Sequence, residues 1–113
     1  MKKIECFIRP EKIQAVKDAL FKIGIKGMSI YEVKGHGHQG GMWLSSRSGR
    51  YCVEWIDKLK LEIVVNSTVD IDKVVETIIE KAQTGKEGDG KIFIIPVEQA
   101  IRIRTKEKGE EII

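Results

Sequence analysis

The sequence predicts an α+β sandwich, one antiparallel sheet carrying two helices, with its elements in the order βαββαβ. Three observations predict it. Apolar and polar residues alternate, with Phe7 the exception, over residues 3–8, and residues 59–65 begin with clean alternation, the period of a half-buried strand. Two segments instead carry apolar residues at three- and four-residue intervals, the period of a helix with one buried stripe. A short apolar run near residues 92–97 has the length of a strand and not of a helix.

The first strand, 3–8, sets Ile4, Cys6 and Ile8 against Lys3, Glu5 and Phe7. Pro10 suits a helix start, Ile13, Val16, Leu20 and Ile23 form the stripe, and Gly24 supplies the stop. A second strand spans 28–34 and a third 59–65. The second helix is the clearest element, with Ile71, Val74, Val75, Ile78, Ile79 and Ala82 on one face and Asp70 or Thr68 as its cap. The run 92–97 ends the set, followed by a short terminal strand over 100–104 and a charged tail. Two split βαβ units in this order make the ferredoxin-like arrangement, with both helices on one sheet face. Ile92, Phe93, Ile94 and Ile95 cannot all point at the helices, so self-association is expected.

At 113 residues the chain suffices for one domain and one core, 1–113. Its 20 basic and 17 acidic residues are interspersed, which argues against general nucleic-acid binding. There is no long apolar run and no signal-like start, so a cytoplasmic protein that is not membrane-embedded is expected. Cys6 and Cys52 form no paired motif and read as free thiols.

Between the second and third strands the pattern fails for about twenty residues, longer than compact domains ordinarily leave unstructured. Residues 35–54 hold five glycines, three serines and two histidines, yet also Met42, Trp43, Leu44 and Tyr51. Apolar side chains on such a loop suggest docking, although folding back on the domain would also use them.

Two glycine-rich patterns imitate nucleotide motifs. Residues 35–40, GHGHQG, match GxGxxG, but no helix pattern follows to face a pyrophosphate. Residues 85–91, GKEGDGK, match GxxxxGK, yet Ile92 replaces the magnesium-binding hydroxyl and the element order is reversed. The shared physics survives in the second: glycines let backbone N–H groups converge on an anion, with Lys91 at the rim. Arg102 and Arg104, two residues apart on the terminal strand, add a candidate phosphate clamp. Each close cation offers about 4 kcal/mol of Coulomb energy at an effective dielectric near 20, before desolvation. No nucleophile, base and acid gather in the sequence, so a binder and not an enzyme is expected.

MKKIECFIRPEKI, GIKGMSIYEVKGHGHQGG, KLKLEIVV and above all AQTGKEGDGKIFIIPVEQAIRIRT together resemble the nitrogen-regulatory PII signal-transduction family over nearly the whole chain. The resemblance implies a homotrimer with nucleotide clefts between neighbours, a mobile T-loop at 37–55, a B-loop at 84–91 and a C-terminal segment at 98–113. It implies ATP or ADP as ligand, with Gly88, Asp89, Gly90, Lys91, Arg102 and Arg104 on the phosphates. Ser29, Gly35, Gly37 and Val65, or Val64 beside it, would line the base and ribose, and His38 stands where a phosphate-contacting arginine is common. Gln39 would help Mg²⁺ on ATP to chelate 2-oxoglutarate, with Gly40 and Gly41 alongside and Lys58 on the far carboxylate. Tyr51 matches a position modified in some members, and Trp43, Leu44 and Arg47 would contact a partner such as an ammonium transporter or a nitrogen-metabolism enzyme. Gly40 for a common lysine, and the tip Ser46-Arg47-Ser48-Gly49, depart from the family pattern. A scaffold with decayed effector binding and a slow ATPase are the competing readings.

Overall fold

A computed structural model describes residues 1–37 and 40–113. Strand β1 (Lys2–Ile8) leads through a single 3-10 turn at Pro10–Lys12 into helix α1 (Ile13–Lys22). Strand β2 (Ser29–Gly35) is followed by a hairpin of β3 (Met42–Ser46) and β4 (Gly49–Val53), then by β5 (Ile56–Val65). Helix α2 (Ile71–Ala82) and strand β6 (Lys91–Pro96) complete the fold. The main sheet runs β2-β5-β1-β6 with every neighbouring pair antiparallel. Leaving the hairpin aside, this is the βαββαβ order and the ferredoxin-like strand arrangement the sequence predicts.

Burial explains the layering. Ile4, Cys6, Ile8, Leu59, Leu61, Ile63 and Val65 point to one face and meet Val16 and Leu20 of α1 and Val74, Ile78 and Ala82 of α2. Each Val, Leu or Ile side chain so removed from water contributes roughly 1.5–3 kcal/mol. Cys6 lies within this core, where burial pushes its thiol up to about 11 against a partly offsetting backbone hydrogen bond at Leu61. Helix α1 ends in a Schellman motif: Gly24, at φ +95°, donates to the Phe21 carbonyl and Ile25 donates to that of Leu20. Asp70 caps α2 by accepting from the Lys73 amide at 3.3 Å.

The other sheet face is different. Lys3, Glu5, Lys60 and Glu62 form a ring of alternating charge with contacts of 3.3–3.8 Å. Burial of Glu5 works against its ionisation, but Lys60 and Lys3 outweigh it and hold the carboxyl below its usual range. Tyr31, with Lys60 over its ring, and Phe93, edge-on to Phe7, flank the charges. Phe93, Ile94 and Ile95 all stay substantially exposed on edge strand β6.

Two expectations are corrected. The long segment after β2 is not structureless, since β3 and β4 pair in register from Met42↔Val53 to Ser46↔Gly49 around a two-residue turn. The terminal strand at 100–104 does not form. Ile101 makes one isolated bridge to Lys108, and the chain reverses between them with Lys106 at φ 63°. No helix among the described residues is long and apolar enough to cross a membrane.

Candidate functional site

The turn joining α2 to β6 is built around one carboxylate. Asp89 Oδ2 accepts from the Thr84 and Gly85 amides at 2.8 and 2.9 Å, while Oδ1 accepts from the Thr84 hydroxyl and from Arg9 Nε, the latter at 3.1 Å. The Thr84 hydroxyl first, then the Thr84 and Gly85 amides and Arg9, hold the Asp89 carboxyl far below the usual carboxylate range. Arg9 also donates to the Glu87 carbonyl at 2.8 Å, so the residue just past β1 straps the turn from outside. Gly88 and Gly90 stand at φ +95° and +103°, where L side chains are strained.

Beside this turn opens a cleft of about 340 Å³. Phe7, Val33, Ile56 and Phe93 form an apolar floor, Lys58 and Lys91 stand at its edge, and Gly35, His36 and Gly37 close the side toward the hairpin. Lys58 donates to the Gly88 carbonyl. Burial, and then Arg9, push its ammonium below the usual lysine range, partly offset by Asp89 and Glu11. An apolar floor edged by cations and glycine backbone suits an anion that carries an uncharged surface.

The structure brings Gly35, Gly37, Lys58, Gly88, Asp89, Gly90 and Lys91 to this one end of the sheet. Of the other predicted nucleotide contacts, Val65, Arg102 and Arg104 lie toward the opposite end and Ser29 lies between, level with Glu5 and Phe93. Lys91 pairs with Phe7 whereas Pro96 pairs with Lys2, five residues or about 17 Å further along the strand. Ser29 pairs with Glu62, and Val65 with Lys2. Val65 is buried in the helix-side core at 2% exposure, so of the two valines Val64, opposite Lys3, faces the open side. The segment carrying Arg102 and Arg104 is tied to the Lys2 end as well, through Val97 N to Met1 O at 3.2 Å and through Glu110, which accepts from the Met1 amino group at 2.9 Å and from Ser67. Within one chain, therefore, the arginines do not converge with Lys91. Arg102 donates instead to Glu107 at 3.2 Å and to the Ile112 carbonyl at 3.3 Å, and Arg104 is exposed.

Above the cleft stands the hairpin. Its neck is narrow: a Cβ on Gly41, at φ +110°, would lie 2.6 Å from the Val53 carbonyl oxygen. Gly40 donates to the Gly37 carbonyl at 3.1 Å, and the His36 ring lies 5.5 Å from that of Trp55 across the neck. Met42, Leu44, Tyr51 and Val53 share one face by register, and Trp43, Ser45, Arg50 and Cys52 the other, with Arg50 over the Trp43 ring. Trp43, Leu44 and Tyr51 are all exposed, and Arg47 occupies the tip. His38 and Gln39 lie outside the described residues.

Arg9 is the residue sequence reasoning missed. Its position two beyond Phe7 put it on the open side of β1, but its partner Asp89 is 80 residues away and nothing local pairs them.

The comparisons fit this geometry. The model for the family "Nitrogen regulatory protein P-II" matches residues 1–107. Relatives named nitrogen regulatory protein P-II from Nostoc punctiforme and Haemophilus influenzae are 53% and 51% identical over 113 residues, covering each chain completely. One named nitrogen regulatory protein P-II 2 from Methanothermobacter thermautotrophicus is 50% identical, over the whole of this chain and 97% of its own. With the fold, the glycine-hinged turn and the projecting hairpin in the places the signature residues demand, the chain belongs to the P-II family of nitrogen regulatory proteins.

Proposed function

We propose that this protein is an effector-sensing regulator that acts as a homotrimer in the cytoplasm. It binds ATP or ADP, and 2-oxoglutarate with Mg²⁺, in clefts between copies, and reports ligand state through the hairpin to a target such as an ammonium transporter or a nitrogen-assimilation enzyme.

The observation that carries this reading is the division of the site. Lys58, Lys91 and the glycine turn lie at one end of the sheet; Val64, Arg102 and Arg104 lie toward the other. A ligand contacting both sets needs two copies joined head to tail, and such an interface closes into a ring when the rotation allows. The half-exposed Phe93 and Ile95, and Ile103 at 96% exposure, are the surfaces such a contact would cover.

The residues present fit a nucleotide. Gly90 lets the backbone pass where any Cβ would collide, Lys91 adds charge, and the apolar floor accepts an uncharged part of the ligand. Mg²⁺ takes oxygen ligands in an octahedron. Among the described residues no group of three His, Cys, Asp or Glu side chains gathers, so the metal would rely on phosphate and keto-acid oxygens together with Gln39. Lys58, hydrogen-bonded to the Gly88 carbonyl, would exchange that acceptor for a ligand carboxylate.

Isothermal calorimetry tests the reading. Heat is expected on adding ATP, and further heat from 2-oxoglutarate only when MgATP is present. Silence in both titrations refutes effector sensing and leaves the hairpin as a plain docking module.

A further inference from the structure

The C-terminal segment contains a carboxylate that the proposed ligand chemistry does not use. Glu107 Oε1 lies 3.2 Å from Arg102 Nη1, and the Ile112 carbonyl accepts from Nη2 of the same guanidinium at 3.3 Å. The backbone reinforces the pair: the Arg102 amide donates to the Glu107 carbonyl at 2.9 Å, and the Lys106 amide to the Arg102 carbonyl at 2.8 Å. Thr105 Oγ1 accepts from the Glu107 amide. The Glu107 carboxyl is held below its usual range by the Thr105 side chain first and then by the charge of Arg102. The segment is thus a closed turn whose side-chain and main-chain bonds join the same two residues.

We propose that Glu107 is a positioning residue for Arg102, fixing the guanidinium so that its remaining N–H groups face a ligand phosphate. The inference rests on the reading that Arg102 is a phosphate ligand. A guanidinium carries five N–H donors in a rigid plane. Two are taken, one on Nη1 by Glu107 and one on Nη2 by Ile112, and three stay available. A free arginine must give up much rotamer freedom on meeting a phosphate, whereas one already held gives up little. The pair is solvent-exposed, with 40% of the Arg102 and 55% of the Glu107 side chain accessible, so its contribution to fold stability is small. Its value is orientation.

Fluorescence competition with the full-length protein tests this, using ATP, and adenosine as a probe without phosphates, against wild type, Glu107→Gln and Glu107→Ala. Gln keeps an oxygen acceptor for Nη1 and Ala keeps none. The expected result is a Kd for ATP raised about three- to tenfold in E107A, from one newly mobile side chain, with E107Q close to wild type and adenosine unchanged in both. Tighter ATP binding in both variants overturns the proposal in favour of Glu107 as a competing anion. An equal loss for ATP and adenosine overturns it in favour of a merely structural turn, and ATP binding unchanged in E107A refutes any role. Failure of the wild type to bind ATP at all brings down the nucleotide reading and this inference with it.

Discussion

Gly90 admits no side chain, because a Cβ there would lie 1.7 Å from the Phe7 carbonyl oxygen. That collision, and not loop flexibility alone, makes glycine necessary where the turn after α2 crosses β1. The neighbouring Asp89 works by charge. Four donors converge on its two oxygens, and its carboxyl is depressed by the Thr84 hydroxyl and amide, then by the Gly85 amide and Arg9. A carboxyl held below its unfolded value stabilises the folded state at pH above that value, about 3.9, and the contribution disappears as the pH falls below it. Asn at this position offers one acceptor oxygen where two are required, and its amide opposes the donors. Asp89→Asn is therefore expected to be less stable than wild type at neutral pH. The difference in urea midpoint should shrink as the pH is lowered from about 5 to about 3, since wild type then loses what the variant already lacks. A difference that stays constant across that range would mean the carboxylate charge is not what holds the turn.

Legibility differed from element to element for physical reasons. Helix α2 was readable to within about two residues because six apolar positions at helical spacing mark its face and Asp70, one of two candidate caps, sits just before them. Strands β1 and β6 were found within one residue because alternation, or a short apolar run, leaves few other choices. The hairpin was hidden: its glycines and serines signal a loop, and Met42, Trp43 and Leu44 are consecutive apolar residues that mask the period of two. The terminal segment misled in the opposite direction. Ile101 to Arg104 alternates like a strand, but among the described residues it makes only one isolated bridge, Ile101 to Lys108, and the chain turns back through Lys106. Arg9 and Glu107 were invisible as site residues, one because its partner is 80 residues distant and the other because a lone glutamate in a charged tail carries no signal. The hairpin's own energetics follow from its isolation. Two strands unsupported by a third layer are marginal in water. Amides that pair β3 with β4 are thus expected to exchange with deuterium at least about a hundredfold faster than those pairing β1 with β5, which open only with the core. Equal protection of both sets in the free protein would show that something covers the hairpin.

At the scale of the whole molecule, the chain is longer than its length implies. A radius of gyration of 16.9 Å exceeds the roughly 13 Å expected for a compact domain of this size. The largest extent is 59 Å against 25 and 21 Å in the other directions, because the hairpin projects from the body. The body itself divides the candidate site, with Lys91 at one end of β6 and the arginine segment anchored beyond the other. Lys91→Ala and Arg102→Ala should each weaken ATP binding when assayed alone. If the cleft closes between copies, a co-refolded equal mixture of the two variants regains tight sites wherever an intact lysine from one copy meets an intact arginine from the next. Random assembly into closed trimers makes that about one site in four. Calorimetry on the mixture should accordingly return about a quarter of the wild-type stoichiometry at wild-type affinity, in a particle of three times the 12.8 kDa chain mass. A clamp formed within each chain predicts no recovery from mixing, because every copy would then carry its own defect; that outcome would reject the shared cleft even if ATP binds the wild type.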